Sequence, residues 1–366
     1  MAVVAVERVR VLRASEASQS RQLVQAQQVL DSYEEQFVGG QRELIDLLTY
    51  GDPPQRPCPN CGYFYDVRQD RCPACAAAGG ACWAVVGEKY GLLLFGTLPV
   101  EARPRASIAA LLMLAGVVVM LLRFVPLPVR AAASALLILT APLLLHGAAF
   151  GLRVLPVVQW GGIVVTILLA VYSIGLAIVV SIPLALARRS ANPVLRAPAA
   201  ILIELVRGVP LVVLLFVTVS VLPLLLGGQP IDKMWLVLTA LTLHAATSLA
   251  EVWRGGLEAV PDGQMEGATA LGLSRWNGFR LVVWPQARRI AMPPAIGTII
   301  GAVKDTSLVL VIGIFDMLGA AKAALADMAW RAHALEIYLA VAAFYFVVCF
   351  ALSVYAERLR TRPYHS

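Results

Sequence analysis

Long apolar runs separated by short polar segments make up most of the chain from about residue 106 to the end. A helix needs about 20 mostly apolar residues to cross the roughly 30 Å of hydrocarbon in a bilayer. Seven runs approach or exceed that length and are predicted as membrane spans: residues 107–122, 131–150, 161–187, 197–228, 235–250, 290–315 and 337–356. Several runs are interrupted by Pro or Gly, as the fourth is by Gly208 and Pro210, and broken helices are tolerated in membranes where they line a path or pack on protein. The pattern therefore predicts an all-α membrane protein.

The sequence before these spans follows a different pattern. Residues 82–100 form a shorter apolar run that carries Glu88 and Lys89, so we expect an interfacial segment there. Before about residue 80 the chain is polar, and apolar residues at three- and four-residue spacing over residues 20–50 predict an amphipathic helix. This helix is expected to pack on itself or on a neighbour, with a membrane-surface anchor as the alternative. The predicted parts are a helical extension (1–55), a cysteine segment (56–79), an interfacial segment with two accessory spans (80–155) and a core of five spans (156–366).

Composition supports a membrane protein and excludes an ordinary soluble one. Hydrophobic residues make up 59% of the chain and charged residues only 14%, and the mean hydropathy is +0.75. Soluble domains are nearer half apolar and a quarter charged. The net charge of +7 would on its own suggest nucleic acid. The arginines cluster beside apolar runs, and this placement indicates the orientation of membrane spans rather than phosphate binding. No nucleic-acid partner is therefore expected.

Basic residues between the last five spans predict the orientation. If the loops alternate sides, one side holds eleven arginines and the other holds four basic residues. The first set is Arg188, Arg189, Arg196, Arg254, Arg275, Arg280, Arg288, Arg289, Arg358, Arg360 and Arg362, and the second is Arg153, Lys233, Lys322 and Arg331. Cytoplasmic loops carry the excess of Lys and Arg. The long loop at about residues 254–290 and the C-terminus are therefore predicted to be cytoplasmic.

That long loop carries a spaced motif. Its motif residues are, in order, Glu266, Gly267, Ala268, Gly272, Val282, Trp284 and Pro285. This resembles the EAA loop of bacterial ABC importer permeases, which has Glu-Ala-Ala, three residues, Gly, nine residues, Ile, one residue and Leu-Pro. Every spacing agrees, and Gly267, Val282 and Trp284 are the three departures. By this resemblance the loop forms a coupling helix that sits in a cleft of an ATPase subunit.

Further motifs narrow the resemblance. Residues 204–210 (ELVRGVP), 250–256 (AEVWRGG), 284–287 (WPQA) and 304–308 (KDTSL) resemble polar amino-acid permeases. Residues 80–84 (GACWA), 94–97 (LFGT) and 316–321 (DMLGAA) resemble the longer permease subunit of general L-amino-acid transporters. The resemblance covers about residues 80–366. It does not extend to residues 1–79, where that subfamily is expected to have another membrane span.

The resemblance implies an architecture and a set of partners. The fold would be a type I ABC importer transmembrane domain with a five-helix core, extra N-terminal spans and a zinc-ribbon-like extension. Its partners would be an ABC ATPase dimer, a second homologous permease, a periplasmic amino-acid-binding protein, an L-amino-acid substrate and the lipid of the bacterial inner membrane. A heterodimer of permeases is expected, with a homodimer as the alternative. The chain would not be the ATPase, and no Walker A sequence G-x-x-x-x-G-K-[ST] occurs in it.

Physical chemistry suggests roles for the loop residues. A short helix at the end of a membrane span can act as a lever that an ATPase subunit pushes. Glu266 near the start of this helix would favour the positive end of the helix dipole or a partner arginine. Ala268 and Gly272 are small and four residues apart, so we expect them to let the partner's groove approach closely. Gly267 is expected to loosen the helix.

Charged and polar residues inside the predicted spans mark the expected substrate path, because each charge costs roughly 2.5–3.5 kcal/mol on insertion scales. The candidates are Glu204, Arg207, Glu251, Lys304, Asp305, Thr306 and Ser307. If the helix starts near Pro293, Lys304 lies about 16 Å along it, near the bilayer midplane. Lys304 and Asp305 have two interpretations. In the first they pair structurally, with each other's neighbours, with Glu204 or with Glu251. In the second they meet the ammonium and carboxylate of a zwitterionic substrate.

Four cysteines form two C-x-x-C pairs. Cys58 with Cys61 and Cys72 with Cys75 are separated by ten residues, a pattern that suits tetrahedral zinc. So small a segment needs such a staple, and a structural zinc is expected. Two disulfides or free thiols are the alternative. The resemblance also implies another possibility, a periplasmic disulfide between Cys75 and Cys82, because a second cysteine a few residues upstream is usual there.

The zinc and topology predictions conflict. With the C-terminus inside, seven spans leave residues 1–105 outside, whereas zinc ribbons usually belong to the reducing cytosol. Either the run 107–122 does not cross fully or the tail is translocated, and a cytosolic ribbon is favoured. Two rival functions remain: a membrane-anchored zinc-ribbon regulator and a secondary amino-acid transporter. Neither would need the EAA loop.

Overall fold

The computed structural model describes residues 55–58, 64–66, 72, 83–122, 124–228, 231–327 and 330–360. They belong to two compact units, Met1–Gly79 and Gly80–Ser366. The amphipathic helix predicted over residues 20–50 lies outside the described residues.

In the first unit, the described residues form a short antiparallel hairpin. Strand β1 (Gln55–Pro57) pairs with β2 (Phe64–Asp66). Cys58 directly follows β1 and is buried in one cluster with Cys72. Cys61 and Cys75 lie outside the described residues, so their predicted part in a zinc site stays a prediction.

The described part of the second unit is helical. Its first helix, α1 (Ala84–Phe95), has 12 residues and is too short to span a bilayer. Helices α2 (Arg103–Leu121) and α3 (Leu127–His146) pack against each other, and α2 also packs on α4 (Gly162–Arg188). The later helices are α5 (Pro193–Gly208), α6 (Leu211–Phe216), α7 (Leu222–Leu225), α8 (Lys233–Glu258), α9 (Gly263–Ala270), α10 (Arg275–Gly278), α11 (Trp284–Asp305), α12 (Met317–Ala324) and α13 (Ala334–Arg360). Short π-helical turns at Val217–Val221 and Phe279–Val283 join α6 to α7 and α10 to α11.

Six helical segments among the described residues are long and apolar enough to cross a membrane. They contain α2, α3, α4, α8, α11 and α13. The predicted run 197–228 corresponds to α5 and α6–α7, which are bent by 108° at the break predicted from Gly208 and Pro210. Pro210 lies at this break, where it has no N–H to continue a helix and keeps Val209 in an extended conformation. The seven predicted spans therefore become six long helices and one broken pair.

Small residues hold the three central helices together. Ala245, Ala246 and Ala250 of α8 share a buried cluster with Ala177 of α4 and Ala291 of α11. Small side chains let helix backbones approach closely inside a membrane. At Gly256 of α8 the backbones come so close that an added Cβ atom would lie 2.7 Å from the Cβ of Ala291.

The two ends of the bundle are distinct. Arg189, which follows α4, donates to the carbonyl of Leu257 near the end of α8 (3.0 Å), so α4 and α8 finish side by side next to α9. The beginning of α4 lies at the opposite end and packs on α1. There Lys89 Nζ of α1 lies 2.7 Å from Asp327 Oδ2, after α12. Helices α1 and α12 thus sit at the end of the bundle opposite α9.

Candidate coupling loop and charged network

Helix α9 forms where the loop motif predicts a short helix. It begins five residues after α8 ends, and Glu266 is exposed in its first turn. An acidic side chain at this position interacts favourably with the partial positive charge of the helix start. Glu266 is therefore free to meet a cationic group on another protein while it also stabilises its own helix.

Gly272 ends α9. Its φ of +80° lies in the left-handed region, which glycine adopts without steric cost. The N–H of Gly272 donates to the carbonyl of Thr269 (2.9 Å), and the N–H of Leu273 donates to that of Ala268 (3.1 Å). These two bonds form a Schellman cap. The glycine of the motif is explained by the backbone of this chain alone.

Ala268 has a different role from the one predicted. Its side chain is only 4% exposed and faces Gly278 of α10. The expectation that Ala268 lets a partner approach closely is therefore wrong, because the small side chain instead allows α9 to pack on the returning loop. Gly267 is exposed, with no atom near the position of a Cβ, so nothing in the fold requires glycine there.

The loop returns to the bundle at Pro285. This half-buried residue is the second of α11 and directly follows the π-helical turn Phe279–Val283, so its missing N–H lies where the helical hydrogen-bond pattern is already irregular. Beside it, Gln286 Nε2 donates to Gln264 Oε1 of α9 (2.9 Å) and ties the two ends of the loop together. Under the loop lies an open cavity of about 310 Å³, whose lining includes Leu186, Met265 and Phe279.

An ion-pair network lies next to this loop, and Glu251 of α8 is its centre. The Glu251 side chain is 14% exposed and lies within 4 Å of three arginines. Arg254 donates to Glu251 Oε2 at 3.0 Å, and Arg207 of α5 lies 3.8 Å from the same oxygen. Arg188 Nε lies 3.0 Å from Oε1 as an ion pair without hydrogen-bond geometry. Helices α4, α5 and α8 are thereby joined through one carboxylate.

Three of the predicted substrate-path residues belong to this network. Glu204 accepts from Arg188 Nη2 (3.1 Å), and Arg207 and Glu251 pair as described. The structure therefore brings Glu204, Arg207 and Glu251 together near the end of the bundle that carries α9. Arg188 and Arg254 were predicted only as topology signals. Spacing alone could not reveal their pairing, because three separate helices contribute to it.

The other four candidates form a separate group at the far end of α11. This helix starts at Trp284, so the expected start near Pro293 is wrong and Lys304 lies about 30 Å along it. Lys304 is exposed, and within the described residues neither it nor Asp305 forms a salt bridge. The hydroxyls of Thr306 and Ser307 both donate to carbonyls three residues earlier (2.8 Å). The predicted pairing of Lys304 or Asp305 with Glu204 or Glu251 is absent from this part of the chain.

Asp316 stands out at the opposite end of the bundle. Its side chain is fully buried, and Oδ1 accepts from the N–H of Gly319 (2.8 Å) to cap α12. Oδ2 has no hydrogen-bond partner among the residues that the structure describes. Burial raises the pKa of Asp316 to about 6, because the ionised carboxylate loses its hydration.

Comparison with known proteins agrees with the geometry of the loop. Residues 177–363 match the family described as "Binding-protein-dependent transport system inner membrane component". The inner membrane amino-acid ABC transporter permease protein YhdY of Escherichia coli is 38% identical over 286 residues, which cover 77% of this chain and 78% of YhdY. The chain belongs to this family of permease components. A continuous region that covers 77% of the 366 residues includes both α9 and the charged network wherever it begins.

Other permeases of the family are also similar. The glutamate/glutamine/aspartate/asparagine transport system permease protein BztC of Rhodobacter capsulatus is 34% identical over 78% of this chain and 64% of BztC. A crystal structure of an amino acid ABC transporter with histidines matches with a TM-score of 0.50 and 27% identity, covering 55% of this chain and 92% of that chain. The all-helical permease fold predicted from the sequence is confirmed for the second unit.

Proposed function

We propose that this permease is the translocation subunit of an ABC importer for polar or general L-amino acids and that a partner subunit hydrolyses the ATP. The observation that carries the proposal is α9, an exposed, capped helix at the end of a membrane span with Glu266 in its first turn. Such a helix fits a docking element for an ATPase subunit. The printed names of YhdY and BztC support amino acids as the substrate class.

The proposed orientation places α9 and the C-terminus in the cytoplasm of an inner membrane. Exposed arginines at the α9 end support it, among them Arg275, Arg280, Arg288 and Arg289. Helices α1 and α12 then face outward, toward a periplasmic amino-acid-binding protein. Substrate would enter from that side and leave beside the network around Glu251.

The proposed complex contains two permeases and two ATPase subunits. One α9 helix serves one ATPase subunit, and ATP brings two such subunits together, so two coupling helices are needed. We propose that the second comes from a homologous permease. Native mass spectrometry of the complex expressed with its neighbouring genes tests this point, because two copies of this chain without a second permease would overturn the heterodimer.

Lys304 and Asp305 are proposed to contact the substrate. The exposed ammonium of Lys304 can meet a substrate carboxylate, and half-buried Asp305 can meet its ammonium group. Uptake kinetics of Lys304→Gln compared with Lys322→Gln test this contact. A higher KM for Lys304→Gln alone supports it, and equal kinetics for the two variants contradict it.

A structural zinc is proposed for the cysteine segment. The β1–β2 hairpin places Cys58 at the end of a strand, and the burial of Cys58 and Cys72 in one cluster suits ligands held at a common centre. Cys61 and Cys75 would complete the set.

The importer proposal is tested by copurification and transport. The tagged chain, expressed with its neighbouring genes, should retain an ABC ATPase subunit through purification. Proteoliposomes of that complex should take up labelled amino acids only with ATP and the binding protein. Uptake without any ATPase subunit would instead support a secondary transporter.

A further inference from the structure

A continuous line of aromatic rings leads from the surface of the cytoplasmic loop into the core. Trp276 of α10 is 66% exposed, and its ring stacks on Phe279 with 5.9 Å between centroids. Phe279 contacts Trp284, the first residue of α11, at 6.1 Å. Trp284 contacts Trp253 of α8 at 5.8 Å. These four rings are called the aromatic relay below.

The inner end of the relay is anchored between two central helices. Trp253 is 7% exposed, and its Nε1–H donates to Ser181 Oγ of α4 at 3.0 Å. Ser181 is fully buried and donates in turn to the carbonyl of Ile178 (3.0 Å). A displacement of the Trp253 ring therefore has to move α4 relative to α8 or break a buried hydrogen bond.

Phe279, the second ring of the relay, lies in an irregular turn beside a cavity. Phe279 belongs to the π-helical turn Phe279–Val283, an irregular geometry that often marks functional positions. Its side chain also borders the cavity of about 310 Å³ under the loop. Phe279 therefore has open space beside it, whereas Trp253 is buried and hydrogen-bonded. The relay thus joins a ring next to a cavity to a ring fixed between two helices.

We propose that the aromatic relay transmits displacement of the cytoplasmic loop to the interface of α4 and α8, with Trp253 and Trp284 as positioning residues. This rests on the proposed importer function and adds a physical route to it. In this proposal the ATPase subunit displaces α9, and the relay transmits that displacement from the loop to the helices α4 and α8. Trp284 stands where the EAA pattern has Leu, so this chain has an aromatic ring where that pattern has an aliphatic side chain.

The test uses the complete complex in proteoliposomes and measures amino acid taken up per ATP hydrolysed. Trp284→Leu replaces the ring by the residue of the EAA pattern, and Trp253→Phe keeps a ring but removes the N–H. Each should lower this ratio at least threefold. The double variant should be no worse than the poorer single variant, because both break one connected path. Trp235→Leu, at the exposed start of α8, is the matched control and should keep the wild-type ratio.

Other outcomes decide against the relay. An unchanged ratio in both single variants overturns it, and fully additive losses overturn it as well, because they indicate two independent packing defects. If Trp284→Leu fails to assemble, Ser181→Ala and Trp284→Phe are tested in its place. Ser181→Ala should lower the ratio of uptake to ATP hydrolysis, and Trp284→Phe should preserve it. The reverse result contradicts the relay. Failure of the importer proposal itself is distinguishable, because the wild-type complex would then show no ATP-dependent uptake.

Discussion

Arg188 Nε and Glu251 Oε1 lie 3.0 Å apart and join the last residue of α4 to α8 through an ion pair that is mostly shielded from water. The same arginine reaches Glu204 and the carbonyl of Ala200 in α5. One guanidinium group therefore contacts the helix that precedes the break at Pro210 and the helix that leads into the coupling loop. Relative motion of α4, α5 and α8 must rearrange this network.

Glu251→Gln should weaken the network because it leaves three arginines around a neutral group. We expect a loss of about 1–3 kcal/mol in the stability of the purified permease, since a shielded pair loses one partner. The control is Glu258→Gln, which removes an exposed partner of Arg254 and should cost less than about 0.5 kcal/mol. Melting temperatures in detergent measure the difference. Equal shifts in the two variants would contradict a central role for Glu251.

Glu266→Lys should uncouple the transporter while leaving it in the membrane. The substitution places a positive charge at the positive end of α9 and reverses the charge offered to a partner. Uptake and substrate-stimulated ATPase activity should fall at least tenfold, with membrane expression unchanged. If uptake and stimulated ATPase activity both stay at wild-type values, Glu266 does not couple transport to ATP hydrolysis.

The two glycines of the loop should respond in opposite ways. Gly272→Ala places a side chain at a φ of +80°, which costs roughly 1–2 kcal/mol, so the end of α9 should be distorted. Gly267→Ala enters open space in a helix and should gain about 1 kcal/mol in helix propensity. The amount of ATPase subunit retained on the purified permease should fall for Gly272→Ala and stay or rise for Gly267→Ala. The opposite order would rule out the capping role of Gly272.

Much of the fold follows from the hydrophobic pattern, because a bilayer requires long apolar helices and the sequence has no other long apolar segments. The break in the fourth run was predicted as well, because Gly208 and Pro210 interrupt it in the sequence. The angle of 108° could not be predicted, since it depends on how the two helices pack. The helix start at Trp284 was missed, because Pro293 and Pro294 lie inside α11 without ending it.

The candidate site was predicted unevenly. The spacing of the EAA motif located α9, since neighbouring residues of one loop determine it. The partners of Glu251 come from three helices, and Ala268 is buried by a contact with Gly278, which lies ten residues away. Such contacts depend on how helices pack, and a single sequence does not record which charged side chain faces which.

Asp316 should make the permease less stable as the pH rises from about 4 to about 6. In the unfolded chain the carboxyl ionises near its ordinary value of 3.8, whereas burial raises its pKa to about 6 in the fold. Ionisation above that range therefore opposes folding, by about 3 kcal/mol for a two-unit shift. Asp316→Asn keeps the cap on Gly319 and should raise the melting temperature at pH 8 but not at pH 4. Asp232→Asn, at the exposed cap of α8, is the control. Parallel pH curves for wild type and Asp316→Asn would refute this account.

Metal analysis decides between zinc and disulfides in the cysteine segment. The purified chain should hold about one zinc through Cys58, Cys61, Cys72 and Cys75, and Cys58→Ser should release it. Cys349→Ser, in α13, is the control and should retain the metal. Zinc near zero together with oxidised cysteines would establish disulfides instead, as expected if this segment lies outside the cytoplasm.

The bend at Pro210 has a consequence for the surrounding lipid. The segment Leu211–Leu225 has 15 residues and is about 22 Å long, whereas the hydrocarbon layer is roughly 30 Å thick. Because the bend is 108°, α5 does not extend the segment Leu211–Leu225 along its own axis. Leu224 and Leu225 are exposed near its far end, so the bilayer has to thin there or neighbouring protein has to replace it. Hydrophobic mismatch costs fractions of a kcal/mol per Å, and membrane thickness therefore contributes to the energy of this conformation in the bilayer.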